Sequence, residues 1–247
     1  MFDFTPDQFG QLNAEDYDIQ FDPGNADQIV EFVKFYGHQG RILEFAIGTG
    51  RVAIPLVEAG FELVGIEGSA EMVDKMRAKP GGDVPSQIGD FAYIEVGGEF
   101  DMVLLVYNTL FNLTSQAHQV DCFKNAAKHL KSGGRFILET FVPDLSGFKD
   151  HQRVSTQRVG EDHAWLEAAL HDPLAQKFHF QRIRITNEGI KLVPLPMRYA
   201  YPPEMNLMAE LAGLQLEHRF ADWQRNPFTA NSKSHISVYR KAGALGH

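Results

Sequence analysis

The chain has 247 residues, 44% of them hydrophobic, and a formal charge of −9 at pH 7. This length is enough to bury a sizeable core, so we expect one large domain, with or without a smaller appended piece. The acidic balance disfavours a nucleic-acid partner, because binding phosphates calls for a clustered basic face and the sequence shows none. There is no run of about 18 apolar residues and no basic segment at the start, so we predict a cytoplasmic protein without a membrane span.

The cysteine and histidine content bears on metal and disulfide chemistry. A single cysteine, Cys122, excludes an internal disulfide and a thiolate-rich metal site. The ten histidines show no ligand spacing on any one predicted element. We therefore expect no metal site.

The first elements are an arm and a helix. Residues 1–24 are rich in aromatic and turn-forming residues, which is typical of a loosely packed N-terminal arm. Residues 26–36 carry an apolar stripe at helical spacing, which predicts a helix packed on a sheet.

The next stretch, residues 41–51, reads as a buried strand, a tight Gly-Thr-Gly turn and the start of a helix. Gly48 and Gly50 lack a Cβ, so a ligand can lie against the backbone of the turn and face the amides of the helix. This geometry suits a nucleotide-like molecule, although two glycines also fit an ordinary strand-to-helix turn.

A second apolar run, residues 61–67, ends in a carboxylate, Glu67, 19 residues after Gly48. In an open parallel sheet a carboxylate at this place accepts hydrogen bonds from ribose hydroxyls, both in nicotinamide dehydrogenases and in methyltransferases. A further carboxylate, Glu44, precedes the glycines. The segment Glu-Phe-Ala-Ile-Gly-Thr-Gly resembles the first motif of class I S-adenosylmethionine-dependent methyltransferases, with Ala46 in place of its first glycine.

The resemblance implies S-adenosylmethionine as the cofactor and names the residues that would hold it. These cofactor-binding candidates are Glu44, Ala46, Gly48, Gly50, Arg51, Glu67, Gly68, Ser69, Met72, Asp90, Phe91, Tyr107 and Tyr17. The N-terminal arm would then be a lid, with Tyr17 and Phe21 over the ligand. Met72 would cover the adenine or be a plain core methionine, and Asp90 would bind the adenine amino group beside Phe91 or merely cap a loop.

Residues 84–91 read as a short third strand that ends in Gly-Asp-Phe, and two further strands follow it. The first of them, residues 100–108, ends in Tyr107-Asn108, which we expect at the ligand edge of the sheet. A helix opens at 114–115 and is predicted to stop at the glycines of 131–134. The strand at 135–142 contains Glu139, a carboxylate that either pairs structurally or lines a substrate pocket.

Residues 143–200 interrupt the alternation of strands and helices. Three strand-like runs at 164–170, 177–186 and 190–200 predict an antiparallel meander. In the middle run the apolar phase slips, which indicates a bulge or a strand covered on both faces. The segment looks like the cap of amino-sugar N-methyltransferases, where it serves substrate recognition or oligomer contacts. Its candidate residues are His163, Trp165, His171, Arg182, Arg184 and Arg198.

The chain closes with a helix at 201–213 and two strands, of which the last is predicted antiparallel to its neighbour. The predicted fold is thus α/β, a doubly wound seven-stranded Rossmann-like sheet with an antiparallel last strand, plus an inserted antiparallel β cap. We divide it into an N-terminal lid or arm (1–24), a cofactor-binding domain (25–142 and 201–247) and the cap (143–200).

The predicted reaction is methyl transfer to nitrogen or oxygen of a small molecule by in-line displacement. A hydroxyl or protonated amine acceptor needs a base, for which Glu139, Tyr107, His171 and His163 are candidates. Two alternatives stay open: an NAD(P)-dependent oxidoreductase, whose hydride-transfer machinery is not visible, and a protein that binds the cofactor without transferring methyl. A homo-oligomer through the β cap is the expected assembly, with no nucleic-acid or membrane partner.

Overall fold

The fold is taken from a computed structural model that describes residues 6–14, 17–18 and 23–243. Its helices are α1 (Pro6–Asn13), α2 (Ala26–Tyr36), α3 (Ala53–Glu58), α4 (Ala70–Arg77), α5 (Gln116–His129) and α6 (Pro202–Leu211), with a 3-10 turn at Thr109–Asn112. Its first strands are β1 (Arg41–Phe45), β2 (Glu62–Glu67), β3 (Ser86–Ile88), β4 (Phe100–Leu105) and β5 (Leu130–Phe141). The remaining strands are β6 (Gln152–Val159), β7 (His163–Asp172), β8 (Lys177–Thr186), β9 (Gly189–Arg198), β10 (Leu214–Phe220) and β11 (Ser234–Lys241).

The main sheet has seven strands in the order β10-β11-β5-β4-β1-β2-β3. Strands β1 to β5 are parallel to one another, whereas β11 lies antiparallel between β5 and β10. The doubly wound sheet with an antiparallel last strand is therefore confirmed. Because parallel strands end at one edge, the turns after β1, β2, β3 and β4 meet there.

Hydrophobic cores cover both faces of this sheet. One contains Ile42 of β1 with apolar residues of α2, α3 and α4, such as Phe32. The other contains Leu43 of the same strand with α5, α6 and part of the cap, including Phe178. Side chains alternate across a strand, so consecutive apolar residues serve opposite cores, which explains the unbroken apolar runs seen in the sequence.

The cap is a separate antiparallel sheet in the order β6-β7-β8-β9. The sequence predicted three of these strands and missed β6, because its residues are mostly polar and exposed and give no apolar run. The pairing of β8 with both neighbours has no register shift, so the bulge proposed for the middle run is absent. The phase slip instead marks a strand with apolar residues on both faces.

One predicted boundary was wrong. Helix α5 ends at His129 and β5 begins at once with Leu130, so the glycines at 133–134 lie within the strand and do not cap the helix. Gly133 has a φ of 79°, and the pairing of β4 with β5 shifts register in this region. The two glycines predicted the end of a helix, but this segment pairs with β4 and is therefore part of a strand.

A buried polar joint connects the cap to the main domain. Arg198, at the end of β9, is 4% exposed and donates hydrogen bonds to Gln119 of α5 (2.6 Å), Gln176 (3.0 Å) and Glu204 of α6 (2.6 Å). Burial tends to raise the pKa of Glu204, but the hydrogen bonds from Arg198, Gln176 and Gln116 hold it below its usual value. These bonds fix the last cap strand on the helices beneath it.

Two negative findings apply to the residues described. No helix among them is long and apolar enough to cross a membrane. Within 6–14, 17–18 and 23–243, no three His, Cys, Asp or Glu side chains are grouped so as to hold a metal ion.

Candidate functional site

The turn after β1 forms a corner of left-handed backbone. Ala46, Gly48 and Gly50 have φ values of 55°, 59° and 76°. At Gly50 a side chain is also excluded by space, since a Cβ there would lie 2.5 Å from Met76 Cγ. Ala46 stands where the resembling motif has glycine, and its left-handed conformation costs on the order of 1 kcal/mol.

Glu67 holds this corner against the second strand. It ends β2, which runs parallel to β1, and its carboxylate accepts hydrogen bonds from the amides of Gly48 (2.8 Å) and Ser69 (3.0 Å). Burial raises the pKa of Glu67, and these amide hydrogen bonds oppose the rise. One carboxylate is thus fixed between the turn of β1 and the start of α4.

A cavity of about 150 Å³ opens over this corner. Eight predicted cofactor residues line it: Tyr17, Ala46, Gly48, Glu67, Gly68, Met72, Asp90 and Phe91. Seven lining residues were missed: Gly10, Gly89, Thr109, Asn112, Leu113, Thr114 and His118. Most of the missed ones follow the end of β4, and their position after Tyr107 at the ligand edge was the available signal.

The N-terminal residues contribute to this cavity. Helix α1 packs on α4, where Gly10 lies against Ser69 and Met72. Asp18 accepts a hydrogen bond from the Thr49 hydroxyl (2.6 Å), which ties residue 18 to the glycine corner. Phe21, the other predicted lid residue, lies outside the described residues.

The other predicted cofactor residues do not line the cavity. Ser69 caps α4 by accepting from the Met72 amide, and the Arg51 guanidinium lies 4.0 Å from the centre of the Tyr107 ring. Glu44 is 2% exposed, and its Oε2 has no hydrogen-bond partner within the described part of the chain. Burial raises the pKa of Glu44 to about 8.

Asp90 is engaged by a histidine that the sequence did not single out. Its Oδ2 lies 2.9 Å from His118 Nε2, and its Oδ1 accepts from the Ala92 amide at 2.9 Å. Burial alone would raise the pKa of Asp90, but the hydrogen bonds from His118 and the amide outweigh it and lower the pKa. Both side chains line the cavity.

Of the three predicted catalytic residues, the structure brings Glu139 and Tyr107 together and places His171 elsewhere. Glu139 accepts hydrogen bonds from the Tyr107 amide (2.9 Å) and Trp223 Nε1 (3.0 Å), so its carboxylate is paired, and burial raises its pKa. His171 lies in the cap, where its Nε2 is 3.0 Å from the Tyr199 hydroxyl and its ring packs on Phe178. None of Glu139, Tyr107 and His171 lines the cavity over the glycine corner or a second cavity beneath the cap.

A second cavity, of about 290 Å³, lies between the main sheet and the cap. Its lining residues are Asn108, Phe141, Val142, Asp144, Phe148, Arg153, Glu167, Phe178, Phe180, Arg182, Leu195 and Met197. Asn108 borders this cavity and the next residue, Thr109, borders the first. Because Asn108 and Thr109 are consecutive, the two cavities lie next to each other, and Tyr17 of the first is within range of the charge of Arg182 in the second. We call the first the corner cavity and the second the cap cavity.

The corner cavity fits an adenosyl cofactor that carries a cationic amino acid end. Glycines leave the backbone open to a ligand, Glu67 supplies a fixed acceptor, and an aromatic ring and a thioether, Phe91 and Met72, offer surfaces for a base. The unpartnered oxygen of Glu44 beneath the turn is a buried acceptor that a ligand donor would satisfy.

The fold and this site together define a class of protein: a nucleoside-binding α/β fold whose sheet ends in an antiparallel hairpin. A model of the methyltransferase domain matches residues 42–134. The CcbJ methyltransferase from Streptomyces caelestis is 36% identical, with a TM-score of 0.90 over 97% of this chain and 100% of that one. The chain therefore belongs to the class I S-adenosylmethionine-dependent methyltransferases, and its cofactor is S-adenosylmethionine.

More distant relatives agree with this family. The cypemycin N-terminal methyltransferase of Streptomyces sp is 26% identical over 204 residues, which span 81% of this chain and 82% of that protein. An S-adenosylmethionine-dependent methyltransferase from Clostridium acetobutylicum is 15% identical and has a TM-score of 0.78, a likeness that shows the fold alone. Family membership removes the oxidoreductase alternative.

Proposed function

We propose that this enzyme transfers a methyl group to nitrogen or oxygen of a small molecule held in the cap cavity. The observation that carries the proposal is the cap cavity itself, which adjoins the corner cavity and is roofed by inward residues of β6 to β9. Its volume of about 290 Å³ suits a small molecule. Four phenylalanines and a few charged groups line it, which favours an acceptor with an apolar ring face and polar substituents.

The cofactor would lie along the corner cavity. In this arrangement Glu67 accepts from the ribose hydroxyls, and Asp90 and Phe91 receive the adenine, with Met72 on the other face of the ring. Glu44, buried near the turn and outside the lining of the corner cavity, is the carboxylate that we propose attracts the cationic amino group. Tyr17 closes the cavity from the N-terminal side, beside the border with the cap cavity.

When bound, S-adenosylmethionine supplies an activated methyl group on a sulfonium, which transfers by a single in-line displacement and leaves a neutral thioether. The chain's own contribution is to align the acceptor, exclude water and keep the acceptor atom unprotonated. A nitrogen acceptor is favoured, since the cypemycin relative is named as an N-terminal methyltransferase. A neutral amine needs no proton removed before it attacks.

Glu139 stays a predicted base rather than an assigned one. Its raised pKa suits a proton acceptor near neutrality, but both hydrogen bonds it accepts hold it in place behind Tyr107. Replacing Glu139 by Gln should leave the fold intact and lower turnover if the carboxylate takes a proton during reaction. Equal turnover in the variant would assign Glu139 to structure, and Trp223→Phe is a control that removes the side-chain donor to Glu139 while keeping a buried aromatic ring.

The proposal is tested in two stages. Calorimetric titration with S-adenosylhomocysteine and with NAD should show binding of the first alone. The enzyme is then incubated with methyl-labelled cofactor and a panel of cyclic primary amines, secondary amines and alcohols, with product detected by mass spectrometry. Cofactor binding with no label in any acceptor would support the alternative of a cofactor-binding protein that does not methylate.

A further inference from the structure

His118 lies in the first turn of α5, on the border of the corner cavity. Its backbone amide donates a hydrogen bond to the hydroxyl of the N-cap residue Ser115 (3.1 Å), which fixes its place on the helix. Its ring nitrogen Nε2 lies 2.9 Å from Asp90 Oδ2, and both side chains line the cavity. The side chains of His118 and Asp90 are 24% and 23% exposed, so Asp90 stays open to a ligand although His118 contacts it.

The ring of His118 is held on its face as well as at its edge. Tyr93 stacks on it, with 5.0 Å between the ring centroids and 13° between the ring planes. Tyr93 and Asp90 belong to one tight turn, because the Tyr93 amide donates to the Asp90 carbonyl (3.0 Å) and the Ala92 amide donates to Asp90 Oδ1 (2.9 Å). The turn therefore fixes the histidine ring and the carboxylate relative to each other.

The carboxylate of Asp90 has acceptor positions left for a ligand. A carboxylate has two oxygens with about four lone-pair positions in all. The Ala92 amide takes one position on Oδ1, and His118 takes one on Oδ2. An ionised carboxylate carries no proton, so His118 must donate through Nε2, and the remaining positions can accept from an amino group in the cavity.

His118 also favours the form of Asp90 that only accepts hydrogen bonds. Burial favours the neutral acid and by itself would raise the pKa of Asp90, but the hydrogen bond from His118 is the largest of the contributions that lower this pKa instead. A neutral carboxylic acid can donate to a carbonyl oxygen, whereas a carboxylate cannot. Two acceptor oxygens placed against each other are both left unpaired, which costs free energy in a site that excludes water.

We propose that His118 is a positioning residue that holds the Asp90 carboxylate as an acceptor for the amino group of adenine, and thereby makes the corner cavity select adenine over a 6-oxopurine. The inference rests on the proposed placement of adenine at Asp90. Adenine carries an amino group at position 6, where the 6-oxopurine hypoxanthine carries a carbonyl oxygen, and the two ring systems are otherwise closely alike. The selection therefore depends on the donor or acceptor character of this one edge of the base.

The first test is calorimetric titration of the full cofactor-free chain with S-adenosylhomocysteine and with S-inosylhomocysteine. His118→Phe keeps a flat ring against Tyr93 but removes the donor to Asp90. It should bind S-adenosylhomocysteine about tenfold more weakly, and its preference over the inosine ligand should fall by a similar factor. His118→Gln places an amide donor at about the reach of Nε2, so it should recover most of this preference.

His218→Phe is the matched control for the loss of a stacked, hydrogen-bonded histidine. His218 stacks on Phe220, and its Nδ1 lies 2.9 Å from the Tyr36 hydroxyl. It belongs to β10, the edge strand farthest from β3, which precedes Asp90. His218→Phe should therefore bind both ligands with wild-type affinity.

Asp90→Asn separates this inference from the proposed placement of the cofactor. An amide can donate to the carbonyl oxygen of hypoxanthine, so Asp90→Asn should lose the preference for S-adenosylhomocysteine. Unchanged affinities in Asp90→Asn would remove adenine from Asp90, and the inference with it. If Asp90→Asn changes the preference but His118→Phe does not, or if His118→Gln is no better than His118→Phe, the placement stands and the role of His118 is overturned.

A measurement on the wild-type protein keeps the inference falsifiable if a variant fails to fold. Nitrogen-15 spectra of histidine-labelled protein show which ring nitrogen carries a proton, and the His118 signals are assigned through their contacts with the Tyr93 ring. Nε2 of His118 should be protonated both without ligand and with S-adenosylhomocysteine. A neutral ring with its proton on Nδ1 would overturn the proposal, because Nε2 would then have nothing to donate to Asp90.

Discussion

Glu44 allows a quantitative test of how deeply a carboxyl is buried beside the glycine corner, through the substitution Glu44→Gln. Its carboxyl is buried under the turn, and burial raises its pKa from 4.5 to about 8. Between these two pH values the folded protein keeps a proton that the unfolded chain has released. Unfolding then releases the proton, so the free energy of unfolding must fall as pH rises through this window.

The magnitude follows from the size of the pKa difference. A rise from 4.5 to about 8 corresponds to about 5 kcal/mol lost between the two ends of the window. Glutamine has the same shape and no charge, so Glu44→Gln should not show this loss. Glu67 and Glu139, whose pKa values are also raised, titrate in both proteins, so their contributions largely cancel in the difference.

The assay is urea denaturation of the cofactor-free protein at several values from pH 5 to pH 8, monitored by tryptophan fluorescence, to which Trp165 and the buried Trp223 both contribute. The free energy of unfolding of the variant, relative to wild type, should rise steadily with pH. If the free energies of unfolding of wild type and variant changed with pH in the same way, the reasoning would be refuted. Glu44 would then titrate alike in the folded and unfolded chains.

The remaining predictions concern the ribose acceptor, the cap joint and the turn. Glu67→Ala should weaken S-adenosylhomocysteine binding by on the order of 1–3 kcal/mol in calorimetry, and unchanged affinity would remove the ribose assignment. Arg198→Met leaves Glu204 and its neighbours without their cation, so thermal unfolding should show a loss of about 3 kcal/mol, and a loss within error of zero would contradict a joint that stabilises the fold. Gly50→Ala forces a methyl group towards Met76 at a φ of 76°, so both stability and cofactor affinity should fall, whereas a variant as stable as wild type would show that the corner relaxes at no cost.

The site lies at one edge of the sheet because of how parallel strands are connected. Every strand from β1 to β4 ends at that edge, so the glycine corner, Glu67, Asp90 and the turn after Tyr107 come from distant parts of the sequence to one place. The antiparallel cap is inserted after β5, beside the same edge. Its inward face can therefore roof the space next to the corner cavity.

The sequence alone determined every strand except β6, the glycine corner and eight of the fifteen residues around the corner cavity. Those features are local: apolar runs, a Gly-Thr-Gly turn, and carboxylates at the ends of strands are visible in short windows. Eight predicted cofactor residues line the corner cavity for this reason. The antiparallel last hairpin followed from the lack of a crossover helix, which is also a local property.

Only the tertiary structure decided which polar groups are paired and which face a cavity. The sequence allows Glu139 either to pair or to line a pocket, and in the structure Trp223, distant in the chain, donates a hydrogen bond to it. His118 contacts Asp90, and His171 of the cap lies within hydrogen-bond distance of the Tyr199 hydroxyl. Strand β6 forms without an apolar run because it pairs with β7. Such contacts join residues far apart along the chain, and their partners are fixed by packing of the whole fold rather than by local pattern.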